Sequence, residues 1–206
     1  MKTIYAALAV SFVCVNSWAI PIYDAANGHY YDVVAGLDVP WLTAEQQALT
    51  SYYGGLEGHL VTITSAAEDT FVGNLVQSYS LPGGGEVWAG GYQNPGTELN
   101  PQAGWTWVNG EGTFPGVNST SPYANWNGGE PNDYYGPASE QYLGLNLGSI
   151  GGFNDEGNLS LISGYVIEYD PNTIPGGGLV PDGGSTAGLL AGALTMVGIA
   201  ARRFRK

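Results

Sequence analysis

Residues 123–133 read Tyr123-Ala124-Asn125-Trp126-Asn127-Gly128-Gly129-Glu130-Pro131-Asn132-Asp133. They lie in a polar stretch rich in Gly, Pro and Asn that runs from Asn109 to Tyr135. A loop that long inside a compact domain is either functional or hides regular structure. Glu140 follows it, and Phe153-Asn154-Asp155-Glu156 lies in the next polar stretch. A calcium ion takes roughly six to eight oxygen ligands from carboxylates, amides, backbone and water. Glu130, Asn132, Glu140, Asn154 and Asp155 form such a mixed set. A cis bond before Pro131 would turn both flanking side chains toward one ion, and an X-Pro bond adopts cis cheaply. The same residue types also build ordinary turns, so composition alone leaves both readings open.

Charge narrows the choice of partner. All five Lys and Arg lie near the ends, at Lys2, Arg202, Arg203, Arg205 and Lys206. The span Ile20 to Val180 holds 17 of the 18 acids and no Lys or Arg. Such a domain repels nucleic acid and anionic lipid. Clustered carboxylates in it need metal ions or water. The single cysteine, Cys14, falls near the N-terminus, so a mature domain beginning at Ile20 has neither a disulfide nor a cysteine zinc site. Its stability must come from a core, for which six Trp, fourteen Tyr and five Phe supply apolar area.

Outward from the loop, the chain reads as α+β. His29 to Val34 is strand-like. Thr43 and Gln46 fit a capping box opening a helix to about Tyr53. His59 to Ile63 is a short β-rich run. Ser65 and Glu68 form a second capping box, followed by Phe71, Val72, Leu75, Val76 and Tyr79 at helical spacing. Glu86 to Tyr92, Gly104 to Val108, Gln141 to Leu147 and Ser163 to Tyr169 read as strands. Trp88, Trp105 and Trp107 are expected in the core, Trp126 beneath the loop, and His29 and His59 in structural rather than ligand roles.

Both ends read as targeting segments. Lys2, the apolar run Ile4 to Val15 and Ser17-Trp18-Ala19 fit a signal peptide over residues 1–19, cut before Ile20. Ile174 to Gly178 is part of a Gly/Pro linker over residues 173–178. Residues 179–206 join Val180-Pro181-Asp182-Gly183-Gly184-Ser185-Thr186, an apolar run to Ala201 and a basic end that should stay cytoplasmic. This order resembles the PEP-CTERM sorting signal, with Asp182 where that family usually has Glu. The resemblance implies transient anchoring in the inner membrane and processing by an exosortase. The product would be exported to the surface of an exopolysaccharide-making bacterium.

Residues 20–172 resemble a C-type lectin-like domain. The resemblance rests on Gly58-His59-Leu60-Val61-Thr62-Ile63, Trp88-Ala89-Gly90-Gly91, Trp105-Thr106-Trp107, Glu130-Pro131-Asn132, Asn154-Asp155 and Gly164-Tyr165-Val166-Ile167-Glu168. It implies that Glu130, Asn132, Glu140, Asn154 and Asp155 hold Ca²⁺ and the hydroxyls of a mannose- or glucose-type glycan. Glu111 and Asp133 match positions of an auxiliary calcium. Departures from the family pattern are Phe153 in place of Trp, a longer 132–140 segment, and no framework cysteines. Ala48, Tyr142, Asn158 and Ile167 stand near those cysteine positions. A glycosidase pair of Glu130 and Glu140 is the enzymatic alternative, and a binding module is preferred to it. A structural or protein-binding domain on the same fold is the other alternative.

Overall fold

The computed structural model describes residues 20–171 apart from Gly84, Pro95 and 158–160. The signal-peptide, linker and sorting-tail expectations therefore fall outside the described residues, except where residues 20 and 171 border them. No helix among the described residues is long and apolar enough to cross a membrane.

In chain order the elements are β1 (Ile22–Tyr23), β2 (Tyr30–Ala35), α1 (Trp41–Leu49), β3 (Tyr52–Tyr53), β4 (Leu56–Leu60) and α2 (Ala66–Ser78). There follow β5 (Glu86–Tyr92), β6 (Thr106–Trp107), β7 (Ser119–Thr120), β8 (Tyr123–Ala124), β9 (Tyr142–Leu145), β10 (Phe153–Glu156) and β11 (Ile162–Tyr169). The main sheet runs β1-β2-β11-β5-β9-β10, with β4 also on β11, β3 on β4 and β6 on β5. β11 is the hub: it pairs antiparallel with β2 and β4 and parallel with β5. β7 and β8 form a separate hairpin inside the long loop. Two helices with mixed sheets make an α+β architecture, as the element pattern predicts.

Strand alternation sorts the core into two clusters. One gathers Tyr31, Val33, Val72, Trp105, Trp107, Phe114, Trp126, Leu143 and Phe153. The other gathers Trp41, Ala44, Ala48, Leu60, Trp88, Tyr165, Ile167 and Tyr169. Packing occupies the places where the resemblance puts cysteines. Ala48 and Ile167 are fully buried, and Tyr142 stacks on Trp41 with ring centroids 4.6 Å apart.

Both helices depart from their expected starts or caps. α1 begins at Trp41, two residues before Thr43, with Pro40 as an N-cap that makes no side-chain cap bond. The backbone N–H groups of Thr43 and Ala44 both donate to the Pro40 carbonyl. The Trp41 indole N–H donates to the Ala89 carbonyl at 2.8 Å, which fixes the helix start from outside the helix. In α2 the Ser65 hydroxyl accepts the Glu68 N–H as expected. The Glu68 carboxylate instead turns to the Thr64 N–H at 2.8 Å. Phe153–Glu156, which lies in a polar stretch of sequence, is a strand paired with β9.

The Trp88-Ala89-Gly90-Gly91 run has a steric basis. A Cβ on Gly90 would sit 2.6 Å from the Leu60 carbonyl oxygen and 2.7 Å from Val108. Since a backbone oxygen there cannot swing away, Gly90→Ala should destabilise by about 1–3 kcal/mol, read as a lower urea midpoint with an unchanged m-value.

Candidate cation and glycan site

The long loop is fastened before it reaches its acidic tip. Asp69 on α2 accepts the Tyr123 hydroxyl at 2.8 Å and the Asn125 amide at 2.7 Å. The Asn127 N–H donates to the Phe153 carbonyl, and the Phe153 N–H donates to the Asn125 carbonyl. Trp126 is buried, with its ring 4.9 Å from Trp105 and 5.6 Å from Phe153. The following Glu130–Pro131 peptide bond is cis.

The tip then closes over β10. The Asp155 carboxylate accepts the Asn132 N–H with both oxygens at 2.9 Å and the Asp133 N–H at 2.8 Å. Glu140 accepts the Tyr134 N–H. Asp133 shapes the return of the loop by accepting the N–H groups of Ala138 and Glu140. Asn154 donates its amide to Glu86 on β5 at 3.1 Å, which leaves its side-chain oxygen as an acceptor. Glu86 reaches that position because residue 144 is glycine: a Cβ there would lie 2.0 Å from Glu86 Oε1.

Glu130, Asn132, Glu140 and Asp155 are thus brought together, and Asn154 joins them through Glu86. Two further carboxylates that sequence reasoning passed over, Glu86 and Glu156, are buried behind them. Acids inside an otherwise apolar strand of a chain poor in bases were the available signal for Glu86. Burial, then the carboxylate of Asp155, pushes Glu130 up to about 7. Burial, with Asp155, Glu156 and Glu130 nearby, pushes Glu140 up to about 7. Burial, reinforced by Glu156, Glu140 and Glu130, pushes Glu86 up to about 8. Among the described residues, Glu86 Oε2 and Glu130 Oε2 are buried without a hydrogen-bond partner. Asn132 is exposed and Glu130 half-buried, so the cluster has a face to solvent. An oxygen-rich set with orphaned acceptors and crowded like charges fits a hard divalent cation.

Glu111, near the start of the long stretch, turns away from its acidic tip. It accepts the Thr62 hydroxyl at 2.8 Å beside a second acidic cluster. There, donor atoms of His29, Glu68 and Glu168 lie within 4.8 Å of one another, a spacing able to hold an ion. This cluster already contains a base: His29 Nδ1 is 2.6 Å from Glu168 Oε1. The Glu168 hydrogen bond raises His29 despite burial. Burial opposes charge on Glu168, but His29, His59 and the Thr62 N–H hold its carboxyl below the usual range. Burial and the Glu168 charge push Glu68 up to about 7. His59 Nδ1 lies 2.9 Å from the Leu60 carbonyl oxygen.

The architecture matches solved proteins. C-type lectin CEL-I from Cucumaria echinata superposes with a TM-score of 0.54 at 22% identity, covering 76% of this chain and 96% of the lectin. The fold is that of a C-type lectin-like domain. Human lithostathine matches with a TM-score of 0.54 at 18% identity over 80% of this chain and 98% of its own. A Ca²⁺-dependent type II antifreeze protein in its Ca²⁺-free form matches with a TM-score of 0.50 at 17% identity, over 75% and 98%. By sequence, the chain is 32% identical over 177 residues to halomucin of Haloquadratum walsbyi. That covers 84% of this chain, which spans about 2% of halomucin's length. No family model matches.

The His29–Glu168 pair carries a pH signature. Because His29 is raised on folding, its stabilisation is complete below its unfolded value of about 6.5 and is lost as pH rises through the raised value. The rise of Glu68 acts in the same direction. His29→Gln should lower stability at about pH 6 by about 3 kcal/mol. It should also flatten the fall in Tm between about pH 6 and about pH 9, measured by calorimetry against wild type.

Proposed function

We propose that this chain is an exported surface protein whose lectin-like domain binds glycans through a calcium ion. The observation that carries this reading is the crowding of Glu86, Glu130, Glu140, Asp155 and Glu156 at one loop, with no Lys or Arg among the described residues. Glu130, Asn132, Glu140, Asn154 and Asp155 would hold the cation, with Glu86 orienting Asn154 from behind. Asp133 is the weaker candidate for an auxiliary ion, because both its oxygens already accept loop N–H groups. Glu111 belongs with the Thr62 side of the second cluster.

The bound cation supplies Lewis acidity toward vicinal sugar hydroxyls. The chain's residues do the selecting. Asn132 offers both a donor and an acceptor to a hydroxyl, whereas Glu130 offers acceptors only. Asn132 at the tip is exposed, so affinity for one mannose- or glucose-type residue should be weak. Attachment to an exopolysaccharide or a neighbouring surface would gain from several copies. Export would follow from cleavage before Ile20, and exosortase processing at the tail would release the domain from transient inner-membrane anchoring.

Similarity of the fold to lithostathine and antifreeze proteins supports a second reading, a structural or protein-binding surface domain on the same frame. Calorimetric titration separates the two. Calcium should bind, and mannose-type sugar should bind only when calcium is present. Heat from sugar that is unchanged in chelator would reject the calcium-dependent lectin reading. Calcium binding without a response to any glycan would favour the structural one.

Substitutions sharpen the assignment. Asp155→Asn should remove measurable calcium binding at millimolar concentration. Glu86→Gln, which disturbs the Asn154 amide from behind, should weaken calcium about 10–100-fold. Asn132→Asp should leave the fold intact and alter or weaken sugar preference, and wild-type glycan binding by that variant would reject the role given to Asn132.

A further inference from the structure

Asp32 on β2 is a buried carboxylate without a counter-charge among the described residues. It is 3% exposed, burial pushes its carboxyl above the usual range, and no hydrogen bond reaches it among the described residues. It faces a cavity of about 390 Å³ whose walls include Ile20, Pro21, Ser51, Tyr53 and Tyr169. Nearby hydroxyls are committed elsewhere. Ser51 donates to the Ala48 carbonyl at 2.6 Å, and Tyr169 is hydrogen-bonded to Ser51. The titratable groups that feel the Asp32 charge are the phenols of Tyr79, Tyr165 and Tyr169. None of these can supply a positive charge.

The register of β1 shows where one would come from. Ile22 is opposite Tyr31 and Tyr23 opposite Tyr30. Continuing the antiparallel register by one residue sets Pro21 opposite Asp32. Directly opposed residues share a face with Cβ atoms about 5 Å apart. Ile20 is therefore one residue from the position opposite the buried carboxylate, and it lines the same cavity. While Ala19 is attached, the Ile20 nitrogen is a neutral amide.

We propose that leader cleavage between Ala19 and Ile20 creates the missing counter-charge, the new Ile20 α-ammonium entering the cavity and pairing with Asp32. This rests on the export reading and its cut point. In the step, water hydrolyses the Ala19–Ile20 peptide bond under a leader peptidase. The leader leaves with the Ala19 carboxylate, and the domain keeps the protonated amine. Processing thereby ties β1 to β2 and α1, and the mature domain differs from its precursor by one buried ion pair. Opposite charges in a partly desolvated cavity favour each other's ionised form, which holds the amine protonated above its ordinary range.

The test uses the full chain, expressed with its leader and tail in an exporting bacterium and recovered from outside the cytoplasm. N-terminal sequencing should give Ile20. The span 20–180 contains no lysine, so acetylation at mild pH is confined there to the α-amine. That amine should react about tenfold more slowly in wild type than in Asp32→Asn. Acetylation should lower the wild-type Tm by about 5 °C or more and leave that of Asp32→Asn unchanged. In wild type alone, the rate-against-pH profile should place the amine above about 9, whereas a free α-amine lies near about 8. A mature N-terminus other than Ile20 overturns both the cut point and the pairing. An Ile20 terminus with a free-amine profile, or with equal reactivity in both proteins, overturns the pairing and leaves export standing.

Discussion

Between Ile20 and Val180 the chain contains 17 acids and no Lys or Arg. A buried carboxylate costs several kcal/mol unless something compensates its charge, so the fold must supply that compensation by other means. It uses several, each visible at a named residue. Glu168 takes its positive partner from His29. Asp69 takes neutral donors from Tyr123 and Asn125 on its Oδ2. Asp133 and Asp155 collect backbone N–H groups and in doing so shape the loop. At the loop tip these resources run out: Glu86, Glu130 and Glu140 are left with pKa values near or above neutrality. A divalent cation is the compensation that the chemistry of that donor set favours.

The same economy governs the rest of the frame. With no cysteine in the described residues, the cysteine positions of the resemblance are filled by Ala48, Ile167 and a Trp41–Tyr142 stack. Two aromatic clusters on opposite faces of one sheet replace covalent ties. β11 connects them by pairing with β2, β4 and β5, and it also carries Glu168 into the His29 cluster. The loop is held by this core through Trp126 and Phe153, so its acidic tip is positioned by packing before any ion is considered.

Much of this was legible in the residues because local chemistry and tertiary role agreed. Ser65 caps α2, and Trp88, Trp105 and Trp107 are buried where an apolar β pattern puts them. Illegible features were those set by distant partners. Thr43 and Gln46 have the local grammar of a cap, but the Trp41 indole reaching the Ala89 carbonyl fixes the start of α1. Phe153–Glu156 has three polar residues in a row and no strand pattern of its own; pairing with β9 makes it a strand and buries all four. Glu86 looks like the polar lip of a strand. Its place behind the loop depends on the absence of a side chain at Gly144, on a different strand. Glu130, Asn132, Glu140, Asn154 and Asp155 are marked by local sequence, whereas Glu86 and Glu156 come behind them through strand pairing.

The central claim is that the loop carboxylates are incomplete without a divalent cation. The most direct measurement is the Tm of the purified protein in chelator and across a calcium series at fixed pH and ionic strength. An ion bound to the folded loop alone stabilises it by mass action, so Tm should climb steadily with the logarithm of calcium concentration once the Kd is passed. Asp155→Asn should show no such climb. A Tm that is the same in chelator and in millimolar calcium would contradict the account, and the crowded acids would then be held by protonation alone.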